Sequence, residues 1–209
     1  MHVFVAQHDS TVRLNEEHAR DDHLYAFWQL LATTGLRRSE ALGLRWSDLD
    51  LDEGRLSVRQ ALAYVGTRPV LDEPKTQQSR RLVMLESETI EALKAHRARQ
   101  LEERLAIGAG YGELDLVFCR VAGDPLNPAT VRRRFDGLVK ASGLPKITLH
   151  GLRHSWATLA LLDGIPAKVV AEVLGHSSTR VTEDVYQHVT PGMQADAVTR
   201  VAGLLRTRR

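Results

Sequence analysis

The stretch from Leu49 to Leu85 breaks the helical pattern that dominates the chain on either side of it. Short runs occur there, RLSVRQALAYV, RPVL and RRLVML, separated by polar connections that contain glycine and proline. Runs of this length bounded by turn residues are typical of strands joined by hairpins. The region therefore predicts a small antiparallel sheet within a helical chain, which is a mainly α fold of the α+β class.

The helical segments around this region have recognisable starts and stops. LYAFWQLLATTGL places apolar residues at helical spacing and stops at Gly35, and RRSEALGL resumes as a second short helix. Asn127 and Pro128 form a start signal, with Asn as the N-cap and Pro at the first helical position. The other predicted elements are helices over about 87–107, 179–187 and 193–206, helices that end at Ser142, Gly164 and Gly175, and a brief strand at LVFCR.

Length and composition indicate a soluble globular protein. The 209 residues can bury a core, and no apolar run reaches the roughly 18 residues that span a bilayer. A single cysteine, Cys119, excludes an internal disulfide and fits a reducing cytoplasm. Residues 1–18 are polar and aperiodic, so we expect a linker or remnant there and one domain over 19–209.

The net charge of +2 conceals an uneven distribution along the chain. Residues 128–209 carry 12 Lys or Arg against 6 Asp or Glu, whereas residues 1–127 carry 16 against 20. A basic late region is compatible with a polyanion partner, although a solvated basic face also produces it. The chain contains neither a P-loop nor a Rossmann glycine motif, which argues against ATP and dinucleotides.

Arg37 is the first candidate for binding a phosphate. It follows a predicted turn at a helix start, where free backbone N–H groups and the positive end of the helix dipole favour an anion. Glu40 lies three residues further on, close enough on one helical face to hold the guanidinium in place. A surface arginine in an ordinary i,i+3 pair is the alternative.

HGLRHSWAT places His150, Arg153 and His154 near the start of a predicted helix. His150 and Arg153 lie on one side of that helix, where an arginine could grip two phosphate oxygens and a histidine could move a proton. His150 and His154 also have the spacing of a zinc pair. The metal hypothesis is weak because the glutamate of an HExxH motif is absent and Arg153 would face the cation.

Three further residues are individually unremarkable. Lys75 lies in the loop EPKTQQSRR between two predicted strands, and His176 follows the helix-ending Gly175. Tyr186 comes ten residues after His176, and a tyrosine there is ordinarily a packing residue whose hydroxyl is hydrogen-bonded. Their order along the chain is more informative than any one of them.

The order and spacing of five segments resemble the catalytic domain of the tyrosine recombinases, the family of phage integrases and related site-specific recombinases. TGLRRSEALGLRWSDLD is similar to the first arginine box of that family, PKTQQSRRLVML to its lysine hairpin and LHGLRHSWAT to its His-x-x-Arg box. LGHSS is similar to the second histidine box, and EDVYQHV to the segment with the nucleophile. The resemblance covers about residues 20–205 and implies the tyrosine recombinase catalytic-domain fold.

The resemblance also implies a role for each matching residue. Arg37 and Arg153 would form an arginine clamp, and Tyr186 would be the nucleophile. Glu40 corresponds to the acidic residue that supports the first arginine, whereas His154 matches no catalytic position, so we interpret it as helix packing or indirect support. The implied catalytic set is Arg37, Lys75, His150, Arg153, His176 and Tyr186.

The implied activity is site-specific cleavage and rejoining of DNA through a 3'-phosphotyrosyl intermediate, without cofactor, metal or ATP, during integration or excision of mobile DNA. The implied partners are double-stranded DNA at a recombination site, three further copies in a homotetramer formed through residues 191–205, and accessory DNA-bending or directionality factors. A topoisomerase of type IB, a DNA-binding module without catalysis and, last, a metal-dependent hydrolase remain as alternatives.

Two further expectations concern DNA binding. Family members usually carry an N-terminal helical domain that grips the opposite face of the duplex, and this chain shows no such segment, so we expect weak binding by this chain. Phosphate contacts would supply most of the affinity. The candidate phosphate-binding residues are Arg132, Arg133, Arg134, Lys140 and Arg180.

Overall fold

A computed structural model describes residues 22–72, 80–143 and 145–175 in full and residues 3–7 and 10–14 as backbone. The helices in these ranges are α1 (Tyr25–Thr34), α2 (Arg38–Leu42), α3 (Ser87–Ile107), α4 (Pro128–Ala141), α5 (Leu149–Leu162) and α6 (Ala167–Leu174). Short 3-10 turns cover Trp46–Asp48 and Gly108–Gly110. None of the helices within the described ranges is long and apolar enough to cross a membrane.

The strands pair only with antiparallel neighbours in the described part of the chain. They are β1 (Val3–Gln7), β2 (Ser10–Leu14), β3 (Leu49–Asp50), β4 (Arg55–Val58), β5 (Ala61–Val65), β6 (Arg68–Asp72) and β7 (Arg81–Met84). β3, β4 and β7 form one sheet, with Leu56 opposite Val83, and β5 pairs with β6 in a separate hairpin. The predicted α+β class with a small antiparallel sheet is confirmed, although the strands form two sheets in this region.

The first residues of the chain contain a hairpin that the sequence pattern does not predict. Val3–Gln7 pairs with Ser10–Leu14, and β1 lies beside α5 and α1. The aperiodic character of residues 1–18 concealed this pairing because a strand is stabilised by its partner more than by its own propensity. The domain limits at residues 18 and 19 stay a prediction.

Helix α1 lies at the centre of the main core and packs against α2, α3 and α5. Its residues Ala26–Leu31 are all buried, and Phe27 makes edge-to-face contacts with Trp28 and Phe118. Trp28 in turn packs against Phe135 of α4. The core therefore surrounds α1 on nearly every side, which explains why its apolar residues are not confined to one face.

Helices α5 and α6 form a smaller apolar cluster beside this core, and their ends position the site described below. Thr148 caps α5 because its hydroxyl accepts a hydrogen bond from the Gly151 N–H. Leu161 and Leu174 pack together in the cluster between the two helices. Gly175 ends α6 in the left-handed conformation, with φ of 65°, as glycine commonly does after a helix.

The strand predicted at LVFCR, residues 116–120, does not form. Leu116 makes a single bridge with Arg45, and Cys119 makes a single bridge with Pro125. The apolar side chains of this segment are nevertheless buried, since Val117 and Phe118 are 0% exposed. A short apolar run indicates burial reliably, but it does not by itself distinguish a strand from an irregular buried segment.

His96 on α3 is buried in the neutral form and should make the fold sensitive to acid. Its Nε2 donates to the Val117 carbonyl oxygen at 2.7 Å, and its Nδ1 has no partner among the described residues. Burial, together with the charges of Arg99 and His23, outweighs the hydrogen bond to Val117 and lowers the pKa of His96 from 6.5 to about 4. The unfolded chain therefore binds a proton at a higher pH than the folded chain.

We expect the free energy of unfolding to fall by about 3 kcal/mol as pH decreases from 6.5 to 4, since each pKa unit corresponds to about 1.4 kcal/mol. The stabilisation that comes from keeping His96 neutral is complete above pH 6.5, the ordinary pKa of histidine, and is lost as the pH falls below it. Urea unfolding across this range should show a smaller decrease for His96→Gln, whose amide can still donate to Val117. An equal decrease in the variant would contradict the assignment.

Candidate functional site

Arg37, His150 and Arg153 line one open cavity, although Arg37 is distant in sequence from the other two. The cavity has a volume of about 450 Å³ and includes the start of α2 and the start of α5. Arg37 directly precedes α2, whereas His150 and Arg153 lie in the first turns of α5. The structure therefore brings together three of the six side chains that the resemblance implies are catalytic.

Arg37 is held at this cavity by Glu40. The Arg37 Nη1 donates to Glu40 Oε1 at 2.8 Å, and the Arg37 backbone N–H donates to Glu40 Oε2 at 2.9 Å. Gly35 makes the preceding turn with φ of 62°, a conformation that favours glycine. The Arg37 side chain remains 40% exposed, so its guanidinium contacts the carboxylate and still faces the cavity.

Glu40 is buried and also binds Arg81, the first residue of β7. Arg81 Nη1 donates to Oε1 at 3.1 Å and Arg81 Nη2 donates to Oε2 at 2.9 Å, a bidentate pair. Burial alone would raise the pKa of Glu40, but the hydrogen bond and charge of Arg81 and the hydrogen bonds from Arg37 together lower it below its ordinary value. Glu40 is therefore a carboxylate at neutral pH.

Arg153 is 4% exposed and joins two parts of the backbone. Its Nη1 donates to the Gly35 carbonyl oxygen at 2.7 Å, and its Nη2 donates to the Leu174 carbonyl oxygen at 2.6 Å. Burial and the nearby charges of Arg37 and Arg81 lower the pKa of Arg153 to about 10, with Glu40 opposing the shift. The guanidinium therefore remains charged at neutral pH.

The carboxyl end of α6 receives hydrogen bonds from three arginines. Arg81 Nε donates to the Val173 carbonyl oxygen at 2.6 Å, and Arg37 Nη2 donates to that of Gly175 at 3.2 Å. Arg153 binds the carbonyl oxygen between them, that of Leu174. The last carbonyls of a helix lack helical partners and carry partial negative charge, which suits guanidinium donors. We call Arg37, Arg81, Arg153 and Glu40 the arginine cluster.

His150 and His154 lie one turn apart on α5, with exposed side chains and ring centroids 4.5 Å apart in an edge-to-face contact. Partial burial of the ring lowers the pKa of His154, and the neighbouring His150 and Arg153 lower it further. His154 contacts the His150 ring and is not packed into the core, so of the two interpretations, helix packing and indirect support, the contact fits indirect support. No group of three or more His, Cys, Asp or Glu residues is placed to bind a metal in the described ranges.

The basic residues of α4 that were predicted to bind phosphate are exposed but face different neighbours. Arg132 lines the same cavity as Arg37 and forms an ion pair with Asp136 at 3.7 Å. Arg133 donates to Thr130, whereas Arg134 contacts Asp22 beside a separate cavity. Of this group, Arg132 is the one beside the candidate site. Lys140 is exposed near the end of α4.

Several predicted residues lie outside the described part of the chain. These are Lys75, His176, Arg180, Tyr186 and the segment 191–205, together with the helices predicted over 179–187 and 193–206. Their roles stay predictions.

Arg81 is the residue of the cluster that the sequence analysis did not single out. A signal for it existed, because Arg81 and the buried Val83 are two residues apart on β7 and therefore share a face of the strand. An arginine on the buried face of a strand requires a partner. Its partners lie on other elements, however, and the sequence does not identify them.

The family model described as the phage integrase family matches residues 6–193 of this chain. The chain belongs to this family. The resemblance inferred from the sequence segments is thereby confirmed.

Relatives of this phage integrase family member carry related names. A protein named tyrosine recombinase XerC-like from Caldanaerobacter subterraneus subsp. tengcongensis is 33% identical over 205 residues, which cover 91% of this chain and 52% of that protein. A protein named integrase from Streptomyces ambofaciens is 33% identical over 198 residues, covering 88% of this chain and 49% of the relative. The chain therefore spans about half the length of the curated relatives it matches.

Solved structures of the family share the fold. The integrase of transposon Tn1549 in complex with transposon right-end DNA aligns with a TM-score of 0.75 and 27% identity, covering 89% of this chain and 62% of that one. The XerA recombinase aligns with a TM-score of 0.66 and 27% identity, covering 90% and 59%. The predicted tyrosine recombinase catalytic-domain fold is confirmed.

Proposed function

We propose that residues 19–209 are the catalytic domain of a site-specific DNA recombinase of the integrase type, which cleaves and rejoins DNA through a 3'-phosphotyrosyl intermediate during integration or excision of mobile DNA. The observation that carries the proposal is the convergence of Arg37, Arg153 and His150 at one cavity. Relatives named integrase, tyrosine recombinase and transposase support it. A related integrase bound to DNA supports the choice of substrate.

The arginines of the cavity suit a reaction at phosphorus. Breaking a phosphodiester places additional negative charge on the non-bridging oxygens, and fixed cations stabilise that charge. Arg37 presents a partly exposed guanidinium held by Glu40, and Arg153 lines the same cavity. By analogy with oxyanion-hole donors, each would contribute about 3 kcal/mol, which is roughly a hundredfold in rate.

The proton transfers rest on the family pattern. Tyr186 would attack the phosphorus through its hydroxyl oxygen, and His150 would accept the hydroxyl proton, since an unperturbed tyrosine has a pKa near 10. The bond between phosphorus and the 5' oxygen would break as Lys75 donates a proton to that oxygen. His176 would donate a hydrogen bond to the phosphate.

The products of this step are a 3'-phosphotyrosyl link and a free 5' hydroxyl. Attack by a 5' hydroxyl of another strand would release Tyr186 and form a new phosphodiester. The number of phosphoester bonds is unchanged, so the exchange requires no ATP. As partners we propose double-stranded DNA, further copies of the chain joined through residues 191–205 in a tetramer, and accessory DNA-bending or directionality factors, all in the cytoplasm.

The covalent intermediate provides the test. The purified chain is incubated in EDTA with nicked suicide duplexes carrying the repeats that flank its coding sequence. We expect a covalent protein–DNA adduct that survives denaturation, and Tyr186→Phe should abolish it because the nucleophilic oxygen is removed.

Tyr64→Phe is the matched control, since the Tyr64 hydroxyl donates to the Leu126 carbonyl oxygen at 3.4 Å and Tyr64 does not line the cavity. This variant should form the adduct as the parent chain does. Absence of an adduct with every duplex, or an undiminished adduct with Tyr186→Phe, would contradict the proposed function.

A further inference from the structure

The resemblance to the family assigned no role to Arg81, yet its side chain binds both Glu40 and the carboxyl end of α6. We propose that Arg81 is a positioning residue of the cleavage reaction, which aligns Arg37 through Glu40 and holds the carboxyl end of α6. This inference rests on the proposed function. Arg81 acts through other residues and does not itself touch the DNA.

Arg81 aligns the Glu40 carboxylate. Each Glu40 oxygen accepts one hydrogen bond from Arg81 and one from Arg37: Oε1 from the two Nη1 atoms, at 3.1 and 2.8 Å, and Oε2 from Arg81 Nη2 and the Arg37 backbone N–H, both at 2.9 Å. The carboxylate is thus held at both oxygens. Without Arg81 the carboxylate would keep, among the described residues, only the two donors of Arg37, one of which belongs to the partly exposed side chain that it orients, so Arg37 would be held less rigidly toward the cavity.

Arg81 also contacts α6. Arg81 Nε donates to the Val173 carbonyl oxygen at 2.6 Å, so one side chain joins β7 to both Glu40 and α6. The packing is close, because a Cβ added at Gly175 would lie 2.7 Å from Arg81 Nη1. His176, a predicted catalytic residue, follows Gly175 directly in the sequence. Arg81 therefore holds the backbone from which the His176 segment continues.

The chemistry requires an arginine at this position. Three donors of one planar group reach Glu40 Oε1, Glu40 Oε2 and the Val173 carbonyl oxygen together. A lysine ammonium preserves the charge, but it is a compact group on a flexible chain and cannot match this fork. Comparing Arg81→Lys with Arg81→Met therefore separates the effect of the positive charge from the effect of the aligned hydrogen bonds.

The experiment measures single-turnover adduct formation against DNA concentration, well below the melting temperature of each variant. We expect the rate at saturating DNA to fall on the order of ten- to a hundredfold for Arg81→Met and about tenfold for Arg81→Lys, because small misplacements of catalytic groups have effects of this size. The half-saturating DNA concentration should change little, since Arg81 does not contact DNA.

Arg55→Met is the matched control. Arg55 lies on the neighbouring strand β4 and binds Asp50 Oδ2 through Nε and Nη2, at 3.2 and 2.9 Å, but it is exposed and away from the cluster. Its removal should leave the rate unchanged. A lower melting temperature with an unchanged saturating rate, in either folded Arg81 variant, would assign Arg81 to stability alone and overturn the proposal.

A second measurement needs no DNA. In the isotope-labelled chain, the guanidinium resonances of Arg37 should shift and broaden in Arg81→Lys and stay unchanged in Arg55→Met. Unchanged Arg37 resonances in Arg81→Lys would overturn the positioning role even if the parent chain formed no adduct. Failure of the proposed function would instead appear as absence of an adduct in the parent chain itself.

Discussion

Replacing Arg153 with lysine is expected to lower the rate of adduct formation at saturating DNA by about a hundredfold. Lysine keeps the positive charge but lacks the planar fork that binds both the Gly35 and the Leu174 carbonyl oxygens. The variant would lose direct stabilisation of the phosphate and the connection between the turn before Arg37 and the end of α6. Single-turnover kinetics on a nicked duplex measure this loss.

Arg97→Lys serves as the control for the Arg153 prediction. The Arg97 guanidinium lies over the Trp46 ring, 5.1 Å from its centroid, and lines a different cavity. The rate of adduct formation by Arg97→Lys should equal that of the parent chain. An Arg153→Lys rate within about twofold of the parent, a difference of less than 0.5 kcal/mol, would show that the fork is dispensable.

Replacing Glu40 with alanine is expected to lower the free energy of unfolding by about 3–5 kcal/mol, since breaking a buried ion pair by removing one partner is strongly destabilising. Arg81, with a side chain 7% exposed, is the buried arginine that would lose its bidentate contact with Glu40. Urea denaturation measures the change. Asp50→Ala removes the exposed partner of Arg55 and should cost much less, because exposed ion pairs contribute little to stability.

The Glu40 prediction also has a pH dependence. The pKa of Glu40 is lowered in the folded chain, so the unfolded chain binds the proton first as pH falls. The stabilisation is complete above the ordinary pKa of 4.5 and is lost below it, as pH falls through the folded value. Glu40→Gln should therefore show a flatter stability curve below pH 4.5 than the parent chain. Equal decreases in the free energy of unfolding for Glu40→Ala and Asp50→Ala would contradict the assignment of Glu40 to a buried ion pair.

Local signals in the sequence predicted most of the helices well. Asn127 and Pro128 start α4, and Gly175 ends α6, because caps and left-handed glycines act on neighbouring backbone groups. The segment LVFCR was predicted wrongly as a strand, since a strand needs a partner along its length and this segment finds only single bridges. The hairpin at residues 3–14 was missed for the related reason that pairing is not a local property.

The candidate site also combines residues that the sequence predicted with one that it did not. Arg37, Arg153 and His150 were predicted from the order of the motifs, and Glu40 from its spacing to Arg37 on one helical face. Arg81 was not predicted, because its partner Glu40 lies 41 residues away and its other partner, Val173, lies 92 residues away. No periodic pattern connects residues at such separations.

The sequence by itself determined the fold class, the family and the residue types available for phosphate chemistry, because helical periodicity, caps and motif spacing are written along the chain. Only the tertiary structure decided that Arg37, Arg81 and Arg153 bind three successive carbonyl oxygens at the end of α6. It also decided which of the α4 arginines lies beside the cavity. These arrangements depend on how β7, α5 and α6 pack, and packing arises from contacts between segments that are distant in sequence.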